Sequence, residues 1–412
     1  MKADPKRLER RLEEIDAFNA TPGEGTTREV YTKEFYAARD YLKTEMAAMG
    51  LAVREDCVGN IFGCLEGEDT SLAPVWTGSH IDTVPNGGRY DGLAGVFAGL
   101  EAVRLLKESG VRLRRTISVN AYAGEEMSRF GMCCIGSRAI TGKITAEDLK
   151  ESREAGGCSI YEALEAAGFH PDRFAEEFPR KVPVHASLEL HIEQNRILED
   201  RGIPLGIVTG ICAPTNLTVT VTGTQSHAGG TSMRDRRDAF MAAAEISLTL
   251  ERLARESKSD YITGTVGSIA LVPGAANVIP GKAVFSIDIR SVSAEDKDEL
   301  VRLLREEVKR IQERRGVAAE LLMQNNDRPY RCPERMQQLL RAEADAAGIP
   351  AMDIISGPYH DSLMLGDITD TGMIFIPCRD GISHDRAEAI RIEDLAAGTD
   401  VLAGALEKLG KE

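Results

Sequence analysis

The fold of this chain is decided at Gly78-Ser79-His80-Ile81-Asp82-Thr83-Val84-Pro85-Asn86-Gly87-Gly88-Arg89-Tyr90-Asp91-Gly92. The apolar run before this stretch predicts a buried strand, and apolar residues at helical spacing after it predict a helix. Because His80 and Asp82 lie two residues apart, one can bind a metal ion while the other accepts the spare ring N–H. Asp91 stands at the helix entrance, where its two oxygens can face two ions. A plain polar turn is the alternative interpretation.

Length and composition limit the class of protein. The chain has 412 residues, enough for two domains. Its net charge of −15 excludes a broad basic face, so nucleic acid and anionic membranes are poor partners. No run approaches a membrane-spanning length, and no signal peptide is evident. The eight cysteines show no CxxC pairing, which is typical of reduced thiols in a cytoplasmic protein.

The order of the predicted elements indicates an α/β protein. Strands alternate with helices on both sides of the Gly78–Gly92 stretch, which predicts a mixed, mostly parallel sheet flanked by helices. This domain, which would carry the metal site, is predicted to comprise residues 1–211 and 327–412. Residues 212–326 follow a different order, β-α-β-β-α-β, which is typical of a ferredoxin-like domain. Such an insertion has an open sheet edge, and we expect it to act as a lid and to pair with its copy in a homodimer.

Three further polar segments follow predicted strands. They are Ala123-Gly124-Glu125-Glu126, Glu189-Leu190-His191-Ile192-Glu193-Gln194 and Pro377-Cys378-Arg379-Asp380-Gly381-Ile382-Ser383-His384. Of two adjacent glutamates, one can bind a metal ion while the other faces the reacting water as a general base. Each segment alone is explained as well by a solvated turn. Four such segments at four strand ends favour one shared metal site, because open α/β sheets place their sites there.

These motifs resemble the M20 metallopeptidase clan. Within it they are similar to the amidase branch of hydantoinase/carbamoylase type, which contains N-carbamoyl-L-amino-acid hydrolases, allantoate amidohydrolases and β-ureidopropionases. The segments that carry the resemblance are GSHIDTVPNGGRYDG, AGEE, ELHIEQ, the runs from His227 to Met233 and Arg236 to Ala239, Asn277-Val278-Ile279-Pro280-Gly281, Asp288-Ile289-Arg290 and GISH. They cover nearly the whole chain in the family's order, and HIEQ and NGGRYDG are specific to the amidase branch.

The resemblance implies a pair of divalent cations. One would be held by His80, Asp91 and His191. The second would be held by Asp91 together with Glu126 and His384. All ligands are nitrogen or oxygen atoms, which suits Zn²⁺ or Mn²⁺. Such a pair would activate a water molecule between the two ions and polarise the scissile carbonyl.

The resemblance also implies roles for residues around the ions. Asp82 would orient His80, and Glu125 would be the general base. His227 would reach across the dimer to the partner's site and stabilise the oxyanion. Asn277 and Arg290 would grip the substrate carboxylate, with Gln194 nearby, and Arg290 offers the planar fork that suits a carboxylate.

Departures from the family pattern concern the substrate. The family's usual Ser-Gly-Ala-Gly-His-Asp-Ala is here Ser356-Gly357-Pro358-Tyr359-His360-Asp361-Ser362, so a glycine has become Tyr359. Asn195-Arg196 replaces the usual Gly-Pro after HIEQ. Pro214-Thr215-Asn216 stands before the first strand of the insertion, where allantoate-type members tend to place a basic residue. We therefore expect Tyr359, His360 and Asn216 to shape specificity, and allantoate to be a less suitable substrate.

The resulting hypothesis is a dinuclear-metal amidohydrolase that cleaves a ureido or amide C–N bond in a small carboxylate, foremost an N-carbamoyl-L-amino acid. Allantoate or 3-ureidopropionate hydrolysis is an alternative within the branch. An N-acyl-amino-acid deacylase or dipeptidase is another, although His191 stands where peptidases more often use an acidic ligand. A catalytically silent binding homologue is the alternative outside enzymes, and the presence of Glu125 argues against it.

Overall fold

The computed structural model describes residues 1–178 and 182–412. The strands of these residues are β1 (Ala52–Glu55), β2 (Ile61–Leu65), β3 (Val75–His80), β4 (Ile117–Tyr122), β5 (Ala186–Ile192), β6 (Leu205–Ile211), β7 (Ala213–Thr222), β8 (Ser226–His227), β9 (Ile262–Val272), β10 (Val278–Ile279), β11 (Lys282–Ser291), β12 (Ala318–Asn326), β13 (Tyr330–Arg331), β14 (Ala351–Ser356) and β15 (Asp370–Ile376).

The α-helices of the same residues vary from four to 22 residues in length. They are α1 (Pro5–Asp16), α2 (Lys33–Ala48), α3 (Leu93–Ser109), α4 (Ile135–Ile140), α5 (Ala146–Glu151), α6 (Ile160–Ala166), α7 (Phe174–Glu177), α8 (Ile197–Arg201), α9 (Ala239–Glu256), α10 (Ala294–Arg315), α11 (Glu334–Ala347), α12 (Asp361–Leu365) and α13 (Ile392–Lys411).

The chain divides into two compact units. The first comprises Met1–Thr209, Cys332–Ile354 and His360–Glu412, and the second comprises Gly210–Arg331 and Ile355–Tyr359. The sequence placed the insertion at residues 212–326. The second unit is therefore slightly longer at both ends and also takes in the short segment that ends at Tyr359. That segment lies far along the chain, so no local pattern assigns it to the insertion.

The first unit is built on a mixed sheet. Its strands follow the order β1-β2-β4-β3-β5-β15-β6, with β14 also paired to β6. The four central strands β4, β3, β5 and β15 run parallel to one another, whereas β2 and β6 are antiparallel to their neighbours. The central strands are almost wholly buried, as expected for parallel strands covered by helices on both faces. The predicted α/β fold class is confirmed.

The helix after the Gly78–Gly92 stretch is set in place by a glycine. Gly92 precedes α3 with a φ of +68°, and a Cβ atom at this position would lie 2.5 Å from the His80 ring. Only glycine adopts this backbone conformation cheaply and leaves room for the imidazole. The following helix α3 is buried along most of its length, which explains its apolar sequence.

The second unit is a four-stranded antiparallel sheet with two helices. Its main elements follow the order β7-α9-β9-β11-α10-β12, and the strands lie in the order β12-β7-β11-β9. Burial alternates along β7 and β11, because one face of the sheet packs on α9 and α10. This is the predicted ferredoxin-like arrangement. Among the described residues, no helix combines the length and apolarity that crossing a bilayer requires.

Candidate metal centre and active site

The candidate ligands lie at the carboxyl ends of four neighbouring parallel strands. His80 is the last residue of β3, and His191 is the penultimate residue of β5. Glu125 and Glu126 come directly after β4, and His384 comes from the loop after β15. Because β4, β3, β5 and β15 are adjacent and parallel, their carboxyl ends meet at one edge of the sheet.

Asp91 is the centre of this group. Its Oδ1 atom lies 3.1 Å from Nε2 of His191 and 3.6 Å from Nε2 of His80. Its Oδ2 atom lies 3.2 Å from Nε2 of His384, which is also 3.2 Å from the Glu126 carboxylate. The two oxygens of one buried carboxylate therefore face two separate sets of side chains. These sets are the ones predicted to bind two ions.

The donor atoms fit divalent cations. Two sets of ligand atoms each lie within 4.8 Å of one another, His80 with Asp91 and His191, and Asp91 with Glu126 and His384. The Nδ1 atoms of His80 and His191 are each 3.0 Å from a backbone carbonyl oxygen. This contact places the ring hydrogen on Nδ1 and leaves Nε2 as the lone-pair donor, the usual arrangement of a metal-binding imidazole.

The ligand atoms of a third set, Glu189 with His191 and His360, also lie within 4.8 Å of one another. Its carboxylate already accepts hydrogen bonds from two buried hydroxyl groups, those of Ser79 at 2.7 Å and Ser362 at 2.6 Å. The ring of His360 packs against His191 at a centroid distance of 4.4 Å. These contacts indicate a supporting role behind His191 rather than a separate ion site.

The hydrogen bonds among the candidate ligands shift the pKa values of these side chains. Burial alone would raise the pKa of Asp91, but hydrogen bonds from His191, His384 and His80 hold that pKa well below its usual value. Hydrogen bonds to Asp91 and Glu126 raise the pKa of His384 to about 10. His384 therefore holds a second ring proton when no cation is bound, and cation binding must release that proton.

Glu125 lies beside these ligands. One of its carboxylate oxygens is 3.9 Å from Nε2 of His80, and the side chain is buried. Burial raises the pKa of Glu125 well above its usual value, while the positive charge of His80 opposes the rise. A carboxyl with a raised pKa beside a metal site suits a general base that takes and returns one proton.

Asp82 differs from the expectation. The atom that accepts the His80 ring N–H is the backbone carbonyl of Asp82, whereas its carboxylate lies 3.9 Å from Nδ1 of His80. The carboxylate instead accepts backbone N–H groups of Gly124, Glu125 and Glu126 at 3.0 to 3.3 Å. Asp82 thus fixes the loop that carries the two glutamates. The spacing of residues around Asp82 does not predict this role, because the loop lies more than 40 residues further along the chain.

Gln194 is oriented toward the ligands. Its amide donates to Oδ2 of Asp91 at 2.8 Å and to the Ser383 hydroxyl at 3.2 Å. Its Oε1 atom is buried with no hydrogen-bond partner among the described residues. Both Gln194 and His384 adopt positive φ values, 57° and 59°, and such conformations cluster at functional sites. The carbonyl oxygen of Gln194 is thus a buried acceptor beside the candidate ligands.

Sequence reasoning missed Glu388. This buried carboxylate accepts the backbone N–H groups of Tyr90 at 2.8 Å and Asp91 at 3.1 Å, and the Ser383 hydroxyl at 3.0 Å. The same hydroxyl lies 2.9 Å from Oδ2 of Asp91, and its single hydrogen is donated to one of the two carboxylates at a time. Glu388 therefore joins the loop of the central ligand to the loop of His384. A glutamate four residues after the GISH motif gives no periodic signal by which the sequence could reveal it.

The Glu388→Gln variant should bind divalent ions about 10–100-fold more weakly, because a loss of this size is typical when a partner of a metal ligand is changed. Glutamine replaces one acceptor oxygen with an NH₂ group that faces existing donors. Competition with a chromogenic chelator measures the affinity. The exposed Glu393→Gln variant is the matched control. Equal affinities for both variants would contradict the role of Glu388.

The second unit contains Arg290 and Asn216, two residues predicted to bind substrate. Arg290 donates from Nε to Asp288 at 2.9 Å and from Nη2 at 3.3 Å, and Asn216 donates to the same carboxylate at 3.0 Å. One edge of the guanidinium is thus fixed by Asp288, which leaves Nη1 for a ligand. Tyr359 donates its hydroxyl to Asp327 at 2.6 Å. The structure brings Asn216 and Arg290 together through Asp288.

His227 and Asn277 form a separate pair in the second unit. His227 lies in β8, which pairs with β10 directly after Asn277, and the Asn277 carbonyl accepts the N–H of Ala228. The Nδ1 atom of His227 accepts the N–H groups of Gly229 and Gly230 at 3.1 Å each. The hydrogen of the neutral imidazole must therefore lie on Nε2, where it can be donated to an oxyanion.

Comparison with known proteins identifies the family. Residues 76–408 match the sequence profile of peptidase family M20/M25/M40. The chain belongs to the M20 peptidase family. It is 40% identical to the ureidoglycolate hydrolase of Arabidopsis thaliana, an alignment that covers 99% of this chain and 87% of the relative. It is 39% identical to the N-carbamoyl-L-amino acid amidohydrolase of Geobacillus stearothermophilus, with 96% of each chain covered.

Solved structures of M20 relatives share the fold. A hydantoinase/carbamoylase family amidase from Burkholderia multivorans superposes with a TM-score of 0.90 at 34% identity, covering 100% of this chain and 99% of the other. The crystal structure of AtUAH in complex with (S)-hydroxyglycine gives a TM-score of 0.87 at 38% identity with the same coverage. The predicted membership of this amidase branch is confirmed, and the protein is a metal-dependent hydrolase of amide or ureido bonds.

Proposed function

We propose that this M20 enzyme is a dinuclear-metal amidohydrolase that cleaves the ureido C–N bond of a small N-carbamoyl α-amino acid. The observation that carries the proposal is the division of the Asp91 carboxylate between two ligand sets, with Glu125 buried beside them. A silent binding homologue would have no reason to keep Glu125 in this position. Either Zn²⁺ or Mn²⁺ suits the nitrogen and oxygen donors.

The side chains divide the chemistry between them. Divalent cations held at Asp91 would supply Lewis-acid polarisation of the ureido carbonyl and make water more acidic. Glu125 accepts the proton of the attacking water and delivers it to the leaving nitrogen. The Nε2–H group of His227 stabilises the oxyanion, and Nη1 of Arg290 binds the substrate carboxylate. Asn277, which lies beside His227, reaches that carboxylate from the partner subunit. Water thereby cleaves the C–N bond, and the products are an amino acid, carbon dioxide and ammonia.

Ureidoglycolate is the member of this substrate class that the comparisons favour. It is an N-carbamoyl α-amino acid whose side chain is a hydroxyl group, and its hydrolysis yields hydroxyglycine. The Arabidopsis relative is a ureidoglycolate hydrolase, and the AtUAH complex contains (S)-hydroxyglycine. Asn216 supplies no positive charge for a second ureido arm, which supports the smaller substrate over allantoate. An N-carbamoyl-L-amino acid with a larger side chain is the second candidate.

The test is ammonia release from a substrate panel after chelation and reloading with Zn²⁺ or Mn²⁺. The panel contains ureidoglycolate, N-carbamoyl-L-amino acids, 3-ureidopropionate, allantoate, N-acetyl amino acids and dipeptides, with amine release measured for the last two. We expect the highest kcat/KM among α-ureido acids. Turnover of N-acetyl amino acids or dipeptides in the absence of ureido hydrolysis would contradict the proposal and favour the deacylase or dipeptidase alternative.

The second unit supports a homodimer that shares active sites. Arg290 lies eight residues further along β11 than Lys282, a distance of about 26 Å at ~3.3 Å per residue. His227 lies beyond the Lys282 end of the same ladder, because β8 pairs with β10 before β11 begins. One small substrate cannot contact both residues of a single chain. We therefore assign His227, and with it the adjacent Asn277, to the partner's site.

An exposed surface is available for such a dimer. β9 is an edge strand of the second unit with Ile269 and Val272 about half exposed, and α9 beside it exposes Leu248 at 66%. An unpaired edge with neighbouring apolar side chains is a template for pairing with another copy.

The eight cysteines are free in the structure, which supports a reducing compartment and hence the cytoplasm.

Mixing His227→Ala with Arg290→Ala subunits should restore activity. Each variant alone should be nearly inactive, but half of the randomly mixed dimers are heterodimers, and each of these has one intact site. We expect about one quarter of wild-type kcat in the mixture. Co-expression with two affinity tags provides the heterodimers. No recovery above the single variants would place His227 and Arg290 in a site formed by one chain.

A further inference from the structure

The loop that carries Glu125, here called the base loop (residues 123–126), is held from two sides. On one side its N–H groups donate to Asp82, as described above. On the other side the N-terminus of α4 donates to its carbonyl groups: Cys134 to Glu125 at 3.1 Å, Ile135 to Gly124 at 2.9 Å and Gly136 to Ala123 at 2.8 Å. The position of the base therefore depends on where α4 lies.

The helix α4 cannot hold this position by itself. It has six residues, far fewer than an isolated helix needs to be stable in water. Ser137 in its first turn donates its hydroxyl to Oδ1 of Asp361 at 2.5 Å, across 224 residues of sequence. Both side chains are fully buried. This hydrogen bond ties α4, and through it the base loop, to the start of α12.

The Asp361 carboxyl has little else to satisfy it. Its Oδ2 atom is buried with no hydrogen-bond partner among the described residues. A buried carboxyl oxygen without a hydrogen-bond partner lowers the stability of the folded protein. Packing alone therefore does not explain why this position is an aspartate.

We propose that Asp361 and Ser137 are positioning residues that hold the general base Glu125 against the reacting water. This inference rests on the proposed function, in which Glu125 is the base. Loss of the Ser137 hydroxyl would free α4 and let the base loop shift. A displacement of about 1 Å at a catalytic group costs on the order of 10²-fold in rate. The ion held by His80, Asp91 and His191 does not depend on α4 and should stay bound. Glu126 lies on the base loop, so kcat must be measured at saturating metal.

The Ser137→Ala variant should lower kcat, measured at saturating metal, by about 10–100-fold and leave KM within about twofold of wild type. Amide hydrogen exchange of residues 123–126 should become faster. Asp361→Asn, which keeps an acceptor for the Ser137 hydroxyl, should retain most of kcat. The control is Ser159→Ala, which removes another buried serine hydroxyl, the one that caps α6. It should lower stability without changing kcat or the exchange of residues 123–126.

The outcomes separate this inference from the proposed function. Wild-type kcat in Ser137→Ala, or an equal loss in Ser159→Ala, would overturn the positioning role even if the enzyme hydrolyses ureido acids. If no substrate of the panel is turned over, the proposed function fails, and hydrogen exchange still tests whether Ser137 anchors the base loop. Should Ser137→Ala not fold, Ser137→Cys has a similar volume and a weaker donor, and it provides the same measurements.

Discussion

Replacing Glu125 with glutamine is expected to lower kcat by about 10²–10⁴-fold, the usual contribution of a general base. The amide has the same shape but cannot accept the proton of the attacking water. Because Glu125 is not among the ligands that converge on Asp91, metal content should remain at the wild-type level. The measurement is kcat with the best substrate of the panel, together with metal analysis of the same preparation.

Glu126→Gln is the matched control for this experiment. The substitution is chemically identical and lies one residue away, but Glu126 belongs to the ligand set with His384. We expect it to weaken binding of one ion, and added metal should restore part of the activity. Added metal should not restore Glu125→Gln. Nearly full activity of Glu125→Gln, or its rescue by metal, would remove Glu125 from the role of the base.

The Asp91→Asn variant is expected to lose both ions and all measurable turnover. One carboxylate faces both ligand sets, so an amide at this position removes an anionic oxygen from each. The remaining histidines also lose the acidic partner that raises the pKa of His384 and His80. Metal content after dialysis against metal-free buffer is the measurement, with kcat at saturating Zn²⁺ or Mn²⁺ as the second.

Asp394→Asn provides the control for general damage to the fold. Asp394 is a buried aspartate in α13, and its substitution tests the effect of losing a buried carboxylate elsewhere in the first unit. We expect this variant to keep its ions and its activity. If Asp91→Asn retained one ion per chain and substantial turnover, the two ligand sets would not share this carboxylate.

The ligands could be predicted from sequence because an apolar run followed by polar residues marks where a buried strand ends. His80, Glu126 and His191 stand at or just after apolar runs of strand length, and a parallel sheet brings such ends together. The ferredoxin-like order of the second unit was equally readable, because alternation along β7 and β11 marks a sheet with one buried face. In both cases the pattern is local and periodic.

The supporting contacts could not be predicted, because they join segments far apart in the chain. Glu388 bonds the Asp91 loop across 297 residues, and Ser137 bonds Asp361 across 224 residues. Asp82 was expected to orient His80 through its carboxylate, but the closed loop places that carboxylate against the N–H groups of Glu125 and Glu126 instead. Only the folded chain decides which donors such carboxylates meet.

The most direct test of the account is anomalous diffraction from crystals of the metal-loaded protein, recorded at the absorption edge of Zn or Mn. We expect two peaks per chain, one in contact with His80 and His191, the other with Glu126 and His384, and both in contact with the Asp91 carboxylate. A single peak, or an active crystal form with no metal at Asp91, would contradict the shared two-ion site.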